Sequence, residues 1–211
     1  MPRILFLLLL LLPFSVAAQV PLPDPGGRYV ERDPAAIAMH PRPGGNARFR
    51  RSLNAAIRKD PENSFALVHR AYLLHASGDL EEGDRDFQRV LALGKADSIN
   101  RRRALWSLGW SAYNRGQPRQ AVDYWHQAAE AHGGRPSWYP YTLAVGLWTL
   151  GEKDAAFSWY DAAARSQPDW TAREGVQSRT RHWREPERKA VEALFDAWSA
   201  RSAVTAAEPA G

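Results

Sequence analysis

From residue 46 onward, apolar residues return every three or four positions, in blocks separated by glycine or proline. Leu105, Leu108, Gly109 and Ala112 fall at i, i+3, i+4 and i+7 before Gly116, and Ala121, Trp125 and Ala128 follow it. That spacing predicts two helices, each with one apolar face. Around Gly151 the same places hold Leu143, Ala144 and Leu147, then Ala156, Tyr160 and Ala163, ending at Pro168. A weaker copy surrounds Gly78, with Leu67, Ala71 and Leu74 before it and Phe87 after it. The three glycines are 38 and 35 residues apart, and a period of that size predicts stacked two-helix units. Small and large residues alternate because helices packed closely need a small residue wherever the neighbour inserts a large one.

The pattern resembles the tetratricopeptide repeat, W-x-x-L-G-x-x-Y, then A-x-x-x-F, then P. Leu108-Gly109, Ala121, Trp125 and Ala128 match it, as do Leu143, Ala156, Tyr160, Ala163 and Pro168. In the Gly78 unit, Gly83 stands where alanine is usual and the closing proline is missing. Repeats are placed at about 64–94, 102–133 and 137–168. Before them Phe49, Leu53, Ala56 and Ile57 predict one helix, stopped by Asp60-Pro61, as half of a degenerate repeat over 46–61. The resemblance implies an all-α fold, a short right-handed superhelix (α-solenoid) of helical hairpins.

Past Pro168 the next period would put Glu174, Gln177, Ser178 and Arg181 into core positions, which polar residues cannot fill cheaply. The array therefore ends there. Asp169 is expected to cap a short helix from Trp170. Pro186 is expected to open a last helix with an apolar stripe at Val191, Leu194, Phe195 and Trp198. Residues 169–202 thus read as the capping helices that an array needs to cover its final hydrophobic face. The tail, 203–211, reads as disordered from Thr205.

Repeat packing leaves a second stripe unexplained. On the helix before Gly116, Trp106, Trp110 and Tyr113 lie about 100° round from the core face. Tyr141, Val145 and Trp148 do the same before Gly151, and Tyr72 and His75 hold these places in the weak unit. The resemblance implies that first helices line a concave groove that holds a peptide or partner helix. Arg103 and Asn114 would supply polar contacts at its rim. The alternative is intramolecular: the arm at 19–45, or the C-terminal helices with Trp170, Trp183 and Trp198, would fill the groove.

Residues 1–18, "MPRILFLLLLLLPFSVAA", have one basic residue, an apolar run and a small-residue end, the layout of a secretory signal cut before Gln19. An uncleaved anchor is the alternative. The mature chain is then expected outside the cytoplasm, periplasmic or secreted, with no membrane span. Residues 19–45, rich in Pro and Gly, read as an extended tether or strap. With no cysteine, disulfides and thiolate chemistry are excluded.

The net charge of +5 would suit nucleic acid, but export argues against such a partner. The basic runs at 101–103 and from 173 read as solvated faces. His69 and His75, like His126 and His132, are six residues apart, the wrong spacing for a shared metal on a helix; no metal or cofactor is expected. "GWSAY" at 109–113 lacks the last glycine of a nucleophile elbow and lies within a helix. "HGG" at 132–134 reads as a helix end. The expected function is a non-enzymatic scaffold binding an exported protein or peptide segment, with an envelope glycan or anionic surface as the alternative and an unrecognised enzyme third.

Overall fold

The structure, a computed structural model, describes residues 22–23, 27–31, 46–93 and 98–207. The signal reading at 1–18, most of the arm and the last four residues lie outside them. Helices run in the order α1 (Asn46–Lys59), α2 (Ser64–Ser77), α3 (Leu80–Ala92), α4 (Ser98–Asn114), α5 (Pro118–His132), α6 (Trp138–Thr149) and α7 (Lys153–Ser166), followed by a 3-10 turn (Pro168–Thr171), α8 (Arg173–Thr180) and α9 (Glu185–Ala207). No strand occurs among the described residues. Each helix from α1 to α7 packs on the next in sequence, which makes the chain an all-α solenoid of hairpins with a helical C-terminal end.

The three hairpin turns are alike. Gly78, Gly116 and Gly151 have φ of +90°, +73° and +80°, a left-handed backbone that strains any residue with a Cβ. The residue after each glycine donates its N–H to a carbonyl five positions back: Asp79 to Leu74 at 2.9 Å, Gln117 to Ala112 and Glu152 to Leu147 at 3.0 Å. Last-turn carbonyls are satisfied in this way, and the chain reverses into the next helix. Gly133 likewise caps α5, at φ +70°. "HGG" is therefore a helix end.

The small–large alternation has a physical object in Trp125, which is 0% exposed. A Cβ at Gly109 would lie 2.2 Å from its Nε1, and one at Gly146 would lie 2.6 Å from Val122 and 3.1 Å from the indole. Both glycines are therefore packing requirements of one tryptophan. Gly83, the departure from the repeat pattern, follows the same rule, since a Cβ there would meet His75 Cδ2 at 2.3 Å. One apolar cluster, including Leu53, Leu67, Phe87 and Leu108, joins α1 to α4; a second runs from Ala112 to Phe195 around Trp125, Tyr160 and Trp170.

Several local expectations are corrected. Asp169 caps no helix: the 3-10 turn has Pro168 in its first turn and no side-chain cap, and Asp169 reaches Arg179 at 3.3 Å instead. Helix α8 buries only Val176 and Thr180, so the polar face foreseen beyond Pro168 remains outside. Helix α9 buries Val191, Leu194 and Phe195 of the expected apolar stripe and runs to Ala207. Nor are the basic runs simply solvated. Arg102 is 7% exposed, Arg101 bonds the Leu91 carbonyl at 3.2 Å, Arg173 pairs with Asp196, and Arg188 bonds the Trp183 carbonyl at 2.9 Å.

The described part of the arm is a strap. Tyr29, 5% exposed, packs edge-on to Trp159 with ring centroids 5.9 Å apart and tilts against Tyr139 at 6.3 Å. Its N–H donates to Ser166 Oγ at 2.8 Å, Val30 donates to the Arg135 carbonyl at 2.8 Å, and Glu31 pairs with His132 at 3.1 Å. Residues 27–31 therefore lie over the α5–α6 connection and α7, not among the stripe residues of α2 and α4.

Candidate functional site

A cleft of about 560 Å³ opens along the first helices of the hairpins. Six of the ten residues singled out from sequence line it together: Tyr72 and His75 from α2, Trp106, Trp110 and Asn114 from α4, and Tyr141 from α6. The other four do not. Val145 is 0% exposed and Tyr113 9%; the Tyr113 ring packs on Trp125 at 6.0 Å between centroids and its hydroxyl shares a hydrogen bond with Thr149 at 2.8 Å. Trp148 packs on Phe157, 5.9 Å between centroids, beneath Lys153. Arg103 sits between turns of the same stripe, its charge felt by His69 and Tyr72.

The far wall of the cleft comes from the C-terminal segment. Trp183 is edge-on to Trp110 at 4.9 Å and tilted on Tyr141 at 5.7 Å, while Trp170 covers Tyr141 from another side at 4.9 Å. Asn114 Nδ2 donates to Glu187 Oε1 at 2.8 Å, and the other Glu187 oxygen accepts the Arg184 N–H at 2.9 Å. The α6 end of the stripe is thus roofed by the chain itself. Burial, against a smaller opposing effect of Arg179, pushes the Tyr141 hydroxyl up to about 12. Tyr72 is raised for the same main reason.

Trp110 is held edge-on by Trp125 as well, at 4.9 Å, and by Trp106 at 6.2 Å. Neither Trp106 Nε1 nor Trp110 Nε1 has an oxygen or nitrogen acceptor among the described residues, and such ring-on-ring geometry lets an indole N–H lie against a π face.

A polar group sits at the α3 side of the cleft. Ser111 Oγ donates to Asp84 Oδ1 at 2.7 Å, His75 Nε2 meets the same oxygen at 2.9 Å, and Arg115 binds Oδ2. Burial raises the Asp84 carboxyl, but the hydrogen bonds from His75, Ser111 and Arg115 outweigh it and hold the group below its ordinary value. Ser111 is the serine of "GWSAY". Its hydroxyl is directed at a carboxylate that is a weakened base, and the imidazole is bonded to that carboxylate rather than to the hydroxyl, so the trio lacks the serine–imidazole contact of an activated nucleophile.

The other end of the stripe is open; Phe65 and Ile99 were not singled out from sequence, and Phe49, expected on the apolar face of the first helix with Leu53 and Ile57, stands exposed instead. Phe65 is 53% exposed, Phe49 41% and Ile99 38%. Both phenyl rings flank His69, at 4.1 Å and 6.0 Å, and an Asn100–Ser64 hydrogen bond of 3.1 Å brings Ile99 to the same end. The signal was present: Phe65, His69 and Tyr72 stand at i, i+4 and i+7, and Ile99 precedes Arg103 by one turn. Among the described residues no group of three or more His, Asp or Glu is arranged to hold a metal ion, and no helix is long and apolar enough to cross a membrane.

Hairpin turns, small–large packing and a first-helix groove together define a tetratricopeptide-like helical-repeat fold. Among solved structures the chain is similar to the crystal structure of MamA, with a TM-score of 0.51 and 16% identity over 75% of this chain and 90% of that one. No family model and no curated protein matches the chain.

Proposed function

We propose that the chain is a non-catalytic scaffold that binds a protein segment carrying apolar side chains in the open half of the aromatic groove. The observation that carries this reading is the contrast between its two ends. Tyr141 and Trp110 are roofed by Trp183, whereas Phe65, Phe49 and Ile99 stand in solvent at the end of the same stripe. Contiguous exposed rings on a soluble surface mark interaction sites, and aromatic anchors dominate interface energetics. The Ser111–Asp84–His75 arrangement supports binding over turnover. Glycan recognition fits less well, because sugars need a ring face laid bare, and the rings of Trp110 are engaged by Trp125 and Trp183.

We further propose that residues 1–18 direct the chain out of the cytoplasm, which the mature N-terminus tests. Sequencing should find Gln19 first in exported protein; intact chain confined to the cytoplasm contradicts export. For the groove, a photoreactive residue replacing Phe65 should give discrete adducts in the producing cell that disappear when Trp106→Ala is added. The same residue at Arg119 should give none. Equal adducts from both positions, or adducts indifferent to Trp106→Ala, contradict the reading.

A further inference from the structure

We propose that a second cleft, between α1, α2 and α3, binds a phosphate monoester group. Its volume is about 440 Å³, and Arg50, Asn54, Arg58, Arg70 and Arg89 line it together with Glu82. Arg70 and Tyr72 are two residues apart on α2, about 200° round the helix, so this cleft opens on the side away from the aromatic groove.

The donor pattern points to an anion. Every nitrogen of Arg70 is held: Nε and Nη2 grip Asp86 at 2.6 and 2.7 Å, and Nη1 donates to Asn54 Oδ1 at 3.2 Å. Asp86 is only 3% exposed, so this pair is a fixed post. Asn54 accepts from Arg70 through its oxygen, which orients its Nδ2 N–H donors for another acceptor. Arg89 bonds the Pro61 carbonyl at 2.9 Å and Asp86 at 3.5 Å. Arg50 and Arg58 stand four residues either side of Asn54, on one face of α1, and neither has a carboxylate partner among the described residues. Helix α1 carries Arg48, Arg50, Arg51, Arg58 and Lys59 and no acidic residue of its own.

Charge decides the class of ligand. Four guanidinium groups line the cleft against Glu82 at its rim and Asp86 beneath it, which leaves two positive charges unbalanced. A phosphate monoester carries about −1.5 to −2 at neutral pH and offers three strong acceptor oxygens, whereas a carboxylate would neutralise only one. Planar guanidinium forks match phosphate oxygens in pairs. A soluble phosphorylated metabolite and the headgroup of a phosphatidic-acid lipid present the same group.

The test compares full-length wild type with Arg50→Gln/Arg58→Gln and with Arg119→Gln/Arg165→Gln, a control of equal net charge whose changes lie elsewhere on the exposed surface. Calorimetry with glycerol 3-phosphate reads the soluble source. Co-sedimentation with phosphatidylcholine vesicles, with and without phosphatidic acid, reads the lipid source. Wild type and control should bind at least one of these saturably, and the cleft variant should bind it roughly tenfold or more weakly, with unchanged circular dichroism. Binding to glycerol 3-phosphate assigns the soluble source, and binding to phosphatidic acid vesicles alone assigns the lipid. Absence of binding to both, equal loss in the control, or equally tight binding of poly-glutamate with the same dependence on Arg50 and Arg58 overturns the proposal.

Discussion

Trp125 shows how far a single side chain can dictate its neighbours. It is completely enclosed, and Gly109 and Gly146 are the space it needs. Gly109→Ala should therefore cost about 1–3 kcal/mol, the range for forcing extra atoms into a packed core, read as a lower denaturation midpoint at unchanged slope. Asp84 is the polar counterpart. Its carboxyl is held below its ordinary value in the folded chain, so the stabilisation it brings is complete above the unfolded value, about 4, and is lost as pH falls through the lower folded value. Asp84→Asn should cost about 1–3 kcal/mol at neutral pH. The gap to wild type should close on acidification below pH ~4, as followed by urea melts across pH. The glycine–tryptophan match was legible in sequence because the Leu108-Gly109 and Trp125 positions follow the repeat pattern. Asp84 was not legible, since its partners come from α2 (His75) and from the end of α4 (Ser111 and Arg115), and no spacing within α3 announces contacts to other helices.

At the level of elements, the hairpins follow from local signals. Gly78, Gly116 and Gly151 mark the reversals, and apolar spacing sets the faces. What spacing cannot supply is which neighbour covers a given face. Val145 shares its stripe with Tyr141, yet is fully buried, while Trp183, from outside the array, roofs Trp110. The strap is a contact of the same long-range kind, since Tyr29 lies 137 residues from its partner Ser166. Tyr29→Ala removes the ring held between Tyr139 and Trp159. In hydrogen exchange, the amides of Tyr29 and Val30 should lose their protection and the Ser166 end of α7 should exchange faster, while α2 stays unchanged. Protection retained at Val30 would mean that the backbone bonds hold the strap alone.

The whole molecule is an array with unequal ends. At the C-terminal end, α8 and α9 supply the covering face that the last hairpin requires, and the aromatic stripe disappears beneath Trp170 and Trp183. At the other end, α1 precedes the first complete hairpin, and Phe49, Phe65 and Ile99 are left without a covering element among the described residues. The overall class of fold could be read from periodicity, but this asymmetry could not, because it depends on where the capping helices come to rest. The absence of cysteine makes the central claim accessible to single-cysteine labelling without background. Phe65→Cys and Arg119→Cys variants should react with a maleimide at similar rates as purified protein. In the producing cell, the Phe65→Cys variant should become protected while Arg119→Cys does not. A Phe65→Cys variant that labels as fast in the cell as in isolation would contradict an occupied groove.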